Sequence, residues 1–307
     1  MFAKKLTKGD TIGILSLAGC VKDEFPYEKI EEFFDRYDYR VKFSDHVTDK
    51  KRYLAGDDDT RVRELEAFFE DESISAILSS RGGYGTLRML DKINYDLIAA
   101  NRKIFCGYSD ITNLLNVFYM KTGLVTYHGP FAVSDFGVDD LYAITVKSFF
   151  DILEGHPVGG FVHNDDFVCI NPGMARGVLV GGNLATILSL MGTPFEIDFE
   201  EKILLLEDVS EPLYKIDRML TQLRLCGVFD KVRGVVIAKF SGCGVDEDVL
   251  KEFLREFFED IRIPVFYGFD ASHVAPRYTL PIGVEYMIDA ELSLIHISEP
   301  TRPISIG

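Results

Sequence analysis

The chain has 307 residues, of which 49 are acidic and 33 basic, giving a formal net charge of −16 at pH 7. A surface this acidic repels phosphate backbones, which argues against nucleic acid as a partner. No apolar run approaches the roughly 20 residues that span a bilayer, and the charged first residues do not match an export signal. We therefore expect no membrane partner and a cytoplasmic location. Five cysteines without a CxxC pair disfavour a disulfide framework or a thiolate zinc site, and we expect neither metal nor cofactor.

Short apolar strands alternate with amphipathic helices through the first half of the chain. We predict strands at residues 11–18, 39–44, 74–80 and 103–108. We predict helices at residues 27–37, from Asp58 onwards, and at 110–121. Strands and helices that alternate at this spacing predict a doubly wound parallel sheet with helices on both faces.

The alternation is interrupted once and then resumes as a second α/β domain. Turn-forming residues predict a linker at 156–172, between domains at 1–155 and 173–291. In the second domain we predict strands at 178–180, 202–206 and 234–240 and helices at 214–225 and 247–258, with 264–267 and 280–288 closing the domain. Residues 292–307 resemble an in-frame translation of a sequencing adaptor, so we expect a non-native tail and leave it out of the functional argument.

Ligands of parallel α/β sheets bind where strands end and helices begin, and the third strand ends in a glycine-rich turn. The turn reads Arg-Gly-Gly-Tyr-Gly at residues 81–85. Adjacent glycines let the backbone approach a ligand, and free amides there can bind an oxyanion or a phosphate. The turn has neither the GxGxxG pattern nor a P-loop, so a tight turn without a ligand is an equally good interpretation.

The fourth strand leads directly to Ser109, which the pattern puts at the start of a helix. There the helix dipole and the amide of Asp110 can stabilise the negative charge of a tetrahedral intermediate. Ile111 stands where the GxSxG motif requires glycine, so the α/β-hydrolase motif is absent. Serine is also a common N-cap, and by itself this position favours a cap over a nucleophile.

Three further strand ends carry polar side chains. Glu207 and Asp208 follow an apolar strand, where a carboxylate can orient an imidazole or simply face a helix dipole. His273, in a polar loop, has the most site-like context of the histidines, and His128 is the alternative base. Asn183 lies at a strand-to-helix junction, where it can bind a peptide backbone or cap the helix.

Together these motifs resemble the serine LD-carboxypeptidase family, also called muramoyltetrapeptide carboxypeptidases, which is related to microcin-immunity peptidases. The resemblance covers nearly all of residues 5–291. Its motifs occur in the family's order at residues 81–85, 107–112, 128–130, 181–184 and 206–208, and at His273 with residues 280–283. Ser272 departs from the glycine that many members have before the histidine.

The resemblance implies a catalytic triad of Ser109 as nucleophile, Glu207 as orienting carboxylate and His273 as general base. It also implies an oxyanion hole formed by the amides of Asp110 and Gly82. The substrate's own carboxylates need a basic partner, for which Arg81 is the candidate and Arg277 the alternative.

The family implies a smaller, β-rich second domain, a homodimer and a reaction. That reaction is the release of terminal D-alanine from murein tetrapeptides at an L,D-peptide bond during cytoplasmic cell-wall recycling. Two alternatives stay open. One is a related serine peptidase that hydrolyses toxic peptide–nucleotide conjugates for self-immunity. The other is a non-enzymatic two-domain protein that binds a small molecule.

Overall fold

The computed structural model describes residues 1–156, 167–292 and 294–297. Its strands form two sheets, of six and seven strands. The first is mostly parallel and the second is mixed, which confirms the expected α/β architecture with two domains. No helix of the described part is both long enough and apolar enough to cross a membrane.

The first domain is a doubly wound sheet. Its parallel strands are β1 (Thr11–Leu15), β2 (Arg40–Phe43), β3 (Ile74–Ser79), β4 (Ile104–Gly107) and β5 (Thr126–His128). They lie in the order β5-β4-β3-β1-β2, so the order reverses between β1 and β3. A crevice at the carboxyl ends of these strands is the expected ligand site. The helices are α1 (Tyr27–Asp35), α2 (Asp58–Glu70), α3 (Tyr95–Ala100), α4 (Thr112–Thr122) and α5 (Ala143–Glu154).

Local sequence explains most of these elements. The strands at the centre of the sheet are apolar on both faces because helices cover both, and Ile12 and Ile14 of β1 are fully buried. Helix α2 begins at Asp58, as predicted, and Asp57 is its N-cap, because the Asp57 carboxylate accepts a hydrogen bond from the Thr60 amide.

The second domain has parallel strands at its centre and antiparallel strands at both edges. The strands after residue 167 are β6 (Val168–Asn171), β7 (Met174–Asn183), β8 (Lys202–Val209), β9 (Gly234–Ser241), β10 (Val265–Tyr267), β11 (Leu280–Ile282), β12 (Glu285–Asp289) and β13 (Leu294–Ile297). The sheet order is β13-β12-β7-β8-β9-β10-β6. The helices are α6 (Leu184–Leu190), α7 (Leu213–Leu225), α8 (Val228–Lys231) and α9 (Glu247–Phe258).

The chain crosses between the domains where the sequence predicted a single closing segment at 280–288. Strand β11 pairs antiparallel with β5 of the first sheet, and only β12 belongs to the second sheet. The pairing gives β5 a second neighbour, so that it is not an open edge. Gly283, with a φ of +85°, turns the chain between the two strands.

Two further predicted segments, the linker and the tail, contain strands of the second sheet. Residues 168–171 of the predicted linker form β6, which pairs with β10, so the second sheet begins before residue 173. Residues 157–166 of that linker lie outside the described residues. Of the predicted tail, residues 294–297 form β13 beside β12, and 293 and 298–307 lie outside the described residues.

Candidate active site

Ser109 lies at the sharp turn that joins β4 to α4. It begins a short 3-10 turn, Ser109–Ile111, and its φ is +56°, a left-handed conformation that is uncommon outside glycine. A strained backbone of this kind persists only where the surrounding structure holds it, and it is concentrated at functional sites. Gly107 leaves room for the Ile111 side chain, since a Cβ at Gly107 would lie 3.0 Å from Ile111 Cγ2.

Gly82, in the glycine-rich turn after β3, lies directly against Ser109. A Cβ at position 82 would lie 2.7 Å from both Cβ and Oγ of Ser109, so any other residue would clash there. The Gly82 carbonyl accepts a hydrogen bond from the Gly19 amide at 3.1 Å, whereas its own amide has no acceptor within the described part of the chain. The amide of Asp110, in the first turn of a helix, has no intrahelical acceptor. Two backbone donors therefore lie beside Ser109.

The Asp110 side chain fixes the position of this turn. Its carboxylate accepts a hydrogen bond from the Thr86 amide at 2.8 Å, and its carbonyl accepts one from Thr86 Oγ1 at 2.6 Å. Burial raises the pKa of Asp110, and the hydrogen bonds from Thr86 oppose that rise. The turn that carries Ser109 is thus bonded to the segment that follows the glycine-rich turn.

His273 and Glu207 are joined by a short hydrogen bond. His273 Nδ1 lies 2.7 Å from Glu207 Oε2, and Glu207 is fully buried at the end of β8 while the His273 side chain is 17% exposed. A carboxylate only accepts, so Nδ1 carries the hydrogen and Nε2 keeps its lone pair. The imidazole is therefore in the tautomer that can accept a proton at Nε2.

Asp208, the neighbouring acid, has different partners. Its Oδ1 accepts hydrogen bonds from the Val209 amide at 2.8 Å and from Asn183 Nδ2 at 3.1 Å. Its Oδ2 accepts one from the Ala185 amide at 2.9 Å. Burial raises the pKa of Asp208 to about 6, against the lowering effect of the two amides. Asp208 therefore accepts a hydrogen bond from an amide in the first turn of α6, and Glu207 is the acid that contacts His273.

Asn183 is engaged within the chain at every polar atom of its side chain. Its Oδ1 accepts hydrogen bonds from the amide and hydroxyl of Thr186, which makes it the N-cap of α6. Its Nδ2 donates to Glu207 Oε1 at 3.2 Å and to Asp208 at 3.1 Å. The predicted role in binding a peptide backbone has no donor or acceptor left to serve it. Asn183 instead holds Glu207 in place.

The two domains meet immediately beside this cluster. The Asn116 side chain of α4 pairs with the backbone of Gly181, donating to its carbonyl at 2.9 Å and accepting from its amide at 2.8 Å. A Cβ at Gly182 would lie 2.7 Å from Thr112 Oγ1. The two glycines therefore let β7 approach the helix that follows Ser109.

Ser109 and His273 line one cleft of about 550 Å³, together with Arg81, Gly82 and Tyr108. Among the described residues, the Arg81 guanidinium donates one hydrogen bond, to the Cys20 carbonyl at 2.7 Å. Its remaining N–H groups are available to an anionic ligand.

The alternative base, His128, is in the wrong place for that role. It is 1% exposed, and its Nε2 donates to the Ala271 carbonyl at 3.0 Å. Burial lowers its pKa from 6.5 to about 4. His128 is a neutral buried side chain that supports the loop before His273.

Arg277 and Asp135 form an ion pair beside the loop that carries His273. Arg277, the alternative partner for substrate carboxylates, is buried and its charge is already paired with Asp135. Asp135 lies on a short π-helical turn, Ala132–Phe136, that has no periodic pattern or motif to reveal it. Across the described ranges, no group of three or more His, Cys, Asp or Glu side chains is arranged to hold a metal ion.

Comparison with known proteins agrees with this architecture. The models of the LD-carboxypeptidase N-terminal and C-terminal domains match residues 12–129 and 176–288. The "Probable murein peptide carboxypeptidase" of Bacillus subtilis is 36% identical over 311 residues, covering 99% of this chain and 94% of its own length.

Solved structures agree as well. That of the microcin C7 self-immunity protein MccF in complex with aspartyl sulfamoyl adenosine matches with a TM-score of 0.91 at 30% identity, covering 97% of this chain and 98% of that one. The muramoyltetrapeptide carboxypeptidase of Oxalobacter formigenes matches with a TM-score of 0.80 at 28% identity, covering 93% and 97%. Both domain models match, and a relative that is 36% identical aligns with 99% of this chain. The chain therefore belongs to the LD-carboxypeptidase family, a family of serine peptidases.

Proposed function

We propose that this protein is a serine carboxypeptidase that releases the terminal D-alanine from murein tetrapeptides at an L,D-peptide bond, in cell-wall recycling. The observation that supports it most is the His273–Glu207 hydrogen bond of 2.7 Å at the wall of a cleft that Ser109 also lines. An imidazole oriented by a buried carboxylate, next to a serine in a strained turn, is the arrangement that nucleophilic acyl transfer requires.

In the proposed first step, Ser109 Oγ attacks the carbonyl carbon of the L,D-peptide bond while His273 Nε2 takes the hydroxyl proton. The carbonyl oxygen becomes an oxyanion, which the amides of Gly82 and Asp110 stabilise. His273 then donates its proton to the nitrogen of D-alanine, the carbon–nitrogen bond breaks, and an acyl-enzyme forms. A water molecule, activated by the same imidazole, hydrolyses the acyl-enzyme and restores Ser109.

We assign the carboxylate of the terminal D-alanine to Arg81. Its guanidinium lines the cleft beside Gly82 and has donors left after its bond to the Cys20 carbonyl. Guanidinium groups bind carboxylates through paired hydrogen bonds. A substrate that ends in a free carboxylate would thus be held one residue beyond the bond to be broken.

A second candidate is hydrolysis of an amide-linked peptide–nucleotide conjugate. It is favoured by the TM-score of 0.91 to the MccF complex, against 0.80 to the muramoyltetrapeptide carboxypeptidase. The 36% identity to the B. subtilis protein favours the murein peptide.

The test compares kcat/KM for D-alanine release from a murein tetrapeptide with that for hydrolysis of an aminoacyl-sulfamoyl adenosine. We expect the tetrapeptide to be the better substrate, and Arg81→Met to raise its KM. A preference for the sulfamoyl adenosine would favour the second candidate. Hydrolysis of neither, combined with tight binding of one, would favour a binding protein and contradict both.

A further inference from the structure

The loop that carries His273 is held by side-chain hydrogen bonds at three consecutive carbonyls. His128 Nε2 donates to the Ala271 carbonyl at 3.0 Å. Arg277 Nε donates to the Ser272 carbonyl and Arg277 Nη2 to the His273 carbonyl, each at 3.0 Å. These carbonyls fix the peptide planes on both sides of His273, and the peptide planes set the direction of its side chain.

Arg277 is itself fixed by the first domain. Its third nitrogen, Nη1, forms an ion pair with Asp135 Oδ1, and each of the two side chains is 5% exposed. Asp135 Oδ2 accepts hydrogen bonds from the Phe131 amide at 2.8 Å and from Ser134 Oγ at 3.0 Å. The buried pair is therefore fully bonded, and removing either partner would leave an uncompensated charge.

The same guanidinium also contacts the nucleophile side of the cleft. It lies 4.6 Å from the centre of the Tyr108 ring, and Tyr108 directly precedes Ser109. The rings of Tyr108 and His273 pack in a T-shaped arrangement with their centres 4.9 Å apart. The Tyr108 ring also stacks on Phe131, with a centre-to-centre distance of 4.1 Å. One side chain thus contacts both the loop of His273 and the residue before Ser109.

We propose that Arg277, fixed by Asp135, is a positioning residue that sets the His273 imidazole against Ser109 when the two domains are together. This inference rests on the proposed function, because it assigns His273 a reacting partner. Arginine suits the task because its planar fork donates in three directions at once, to two carbonyls and a carboxylate. A lysine ammonium keeps the charge but cannot reproduce that geometry.

The test compares Arg277→Lys with a matched control, Arg224→Lys. Arg224 on α7 also donates to a backbone carbonyl, that of Phe257, forms an ion pair with Asp260 at 3.1 Å and lies 4.3 Å from the centre of an aromatic ring. It has the same kinds of contact, but they are with Phe257 and Asp260 and not with the loop of His273. Both variants are measured at a temperature where circular dichroism shows them folded.

Arg277→Lys is expected to lower kcat for D-alanine release about 10- to 100-fold with KM nearly unchanged, because a small displacement of a catalytic base has effects of this size. Arg224→Lys is expected to leave both constants near those of the unmodified protein. A folded Arg277→Lys protein with normal kcat, a loss confined to KM, or an equal loss in Arg224→Lys would overturn the proposal.

A second measurement separates this inference from the proposed function. The proton between His273 Nδ1 and Glu207 Oε2 should give a far-downfield proton NMR resonance that needs no substrate. We expect Arg277→Lys to shift or broaden it and Arg224→Lys to leave it in place; an unchanged resonance in Arg277→Lys would refute positioning. A protein that keeps the resonance but neither releases D-alanine nor reacts with a fluorophosphonate would refute the proposed function alone.

Discussion

At the scale of single residues, two adjacent acids with the same sequence context have different partners. Successive side chains of a strand point to opposite faces, and the pairing of β8 with β9 shifts register between Leu206 and Asp208. Glu207 therefore reaches His273, while Asp208 faces the first amides of α6. The strand pattern predicted a carboxylate at this strand end without choosing between the two acids, and only the family resemblance pointed to Glu207.

We predict that Glu207→Gln lowers kcat roughly 1,000- to 10,000-fold with little change in KM, because an amide neither stabilises a protonated imidazole nor holds its reactive tautomer. Asp208→Asn should instead lower the free energy of unfolding by about 1–3 kcal/mol, since it places an NH₂ group against backbone donors. Its kcat should stay within about tenfold of normal. Steady-state kinetics and urea unfolding of both variants check this, and the reverse pattern would make Asp208 the third member of the triad.

His128 predicts a pH dependence of stability. Its pKa falls from 6.5 to about 4 on folding because it is buried, so the unfolded chain binds a proton that the folded protein rejects. Stability is then complete above about pH 6.5 and falls as the pH drops towards 4. Asp208, whose pKa is raised to about 6, acts in the opposite direction over much of the same range.

The two contributions are separated by His128→Gln, which keeps a donor for the Ala271 carbonyl and does not titrate. Between pH 7 and pH 5, the unmodified protein should lose about 2 kcal/mol more free energy of unfolding than the variant does. Urea unfolding at the two pH values measures the difference. Equal losses would mean that folding does not lower the pKa of His128.

At the scale of elements, the sequence predicted the apolar strands but not which sheet the segment at 280–288 joins. Residues 280–288 form a continuous segment in the sequence, yet β11 joins the first sheet and β12 the second. The division occurs at Gly283, and nothing in a short apolar run says which of two sheets it joins. The conformation of Ser109 could not be predicted from the sequence either. A positive φ at a serine is imposed by its surroundings, and the residue type does not indicate it.

An alanine in the left-handed conformation costs about 1–2 kcal/mol of stability. Gly283→Ala should cost more than that, because the added Cβ would also lie 2.3 Å from Tyr119 Cδ2. Gly192→Ala is the matched control, with a φ of +74° and nothing within 4 Å of the added Cβ. In a Tyr119→Ala background the cost of Gly283→Ala should fall to that of the control. Urea unfolding measures the stability of each variant. Equal costs of Gly283→Ala and Gly192→Ala would mean that the contact with Tyr119 does not destabilise the protein.

At the scale of the whole molecule, the domains are interlocked rather than merely adjacent. Strand β11 lies in the first sheet, Asn116 pairs with Gly181, and Arg277 pairs with Asp135. The two-domain organisation could be predicted from the alternation of strands and helices. These contacts could not, because they join residues far apart in the sequence whose types are ordinary at their own positions.

We therefore predict a single unfolding transition. Leu220→Ala, a fully buried site on α7 of the second domain, should lower the stability of the whole chain by about 2–5 kcal/mol and leave one transition. Differential scanning calorimetry of both proteins provides the check, with equal calorimetric and van't Hoff enthalpies as the criterion. A variant that retains a separate transition for the first domain would contradict interlocking.

The central claim is that Ser109 is a nucleophile activated by His273, and the most direct test is mass spectrometry of the protein after reaction with a fluorophosphonate. The account predicts one adduct per chain, on the peptide that contains Ser109, in the native protein. The adduct should be absent from urea-unfolded protein and from Ser109→Ala, and strongly reduced in His273→Ala. No adduct, an adduct on another serine, or equal labelling of native and His273→Ala protein would contradict it.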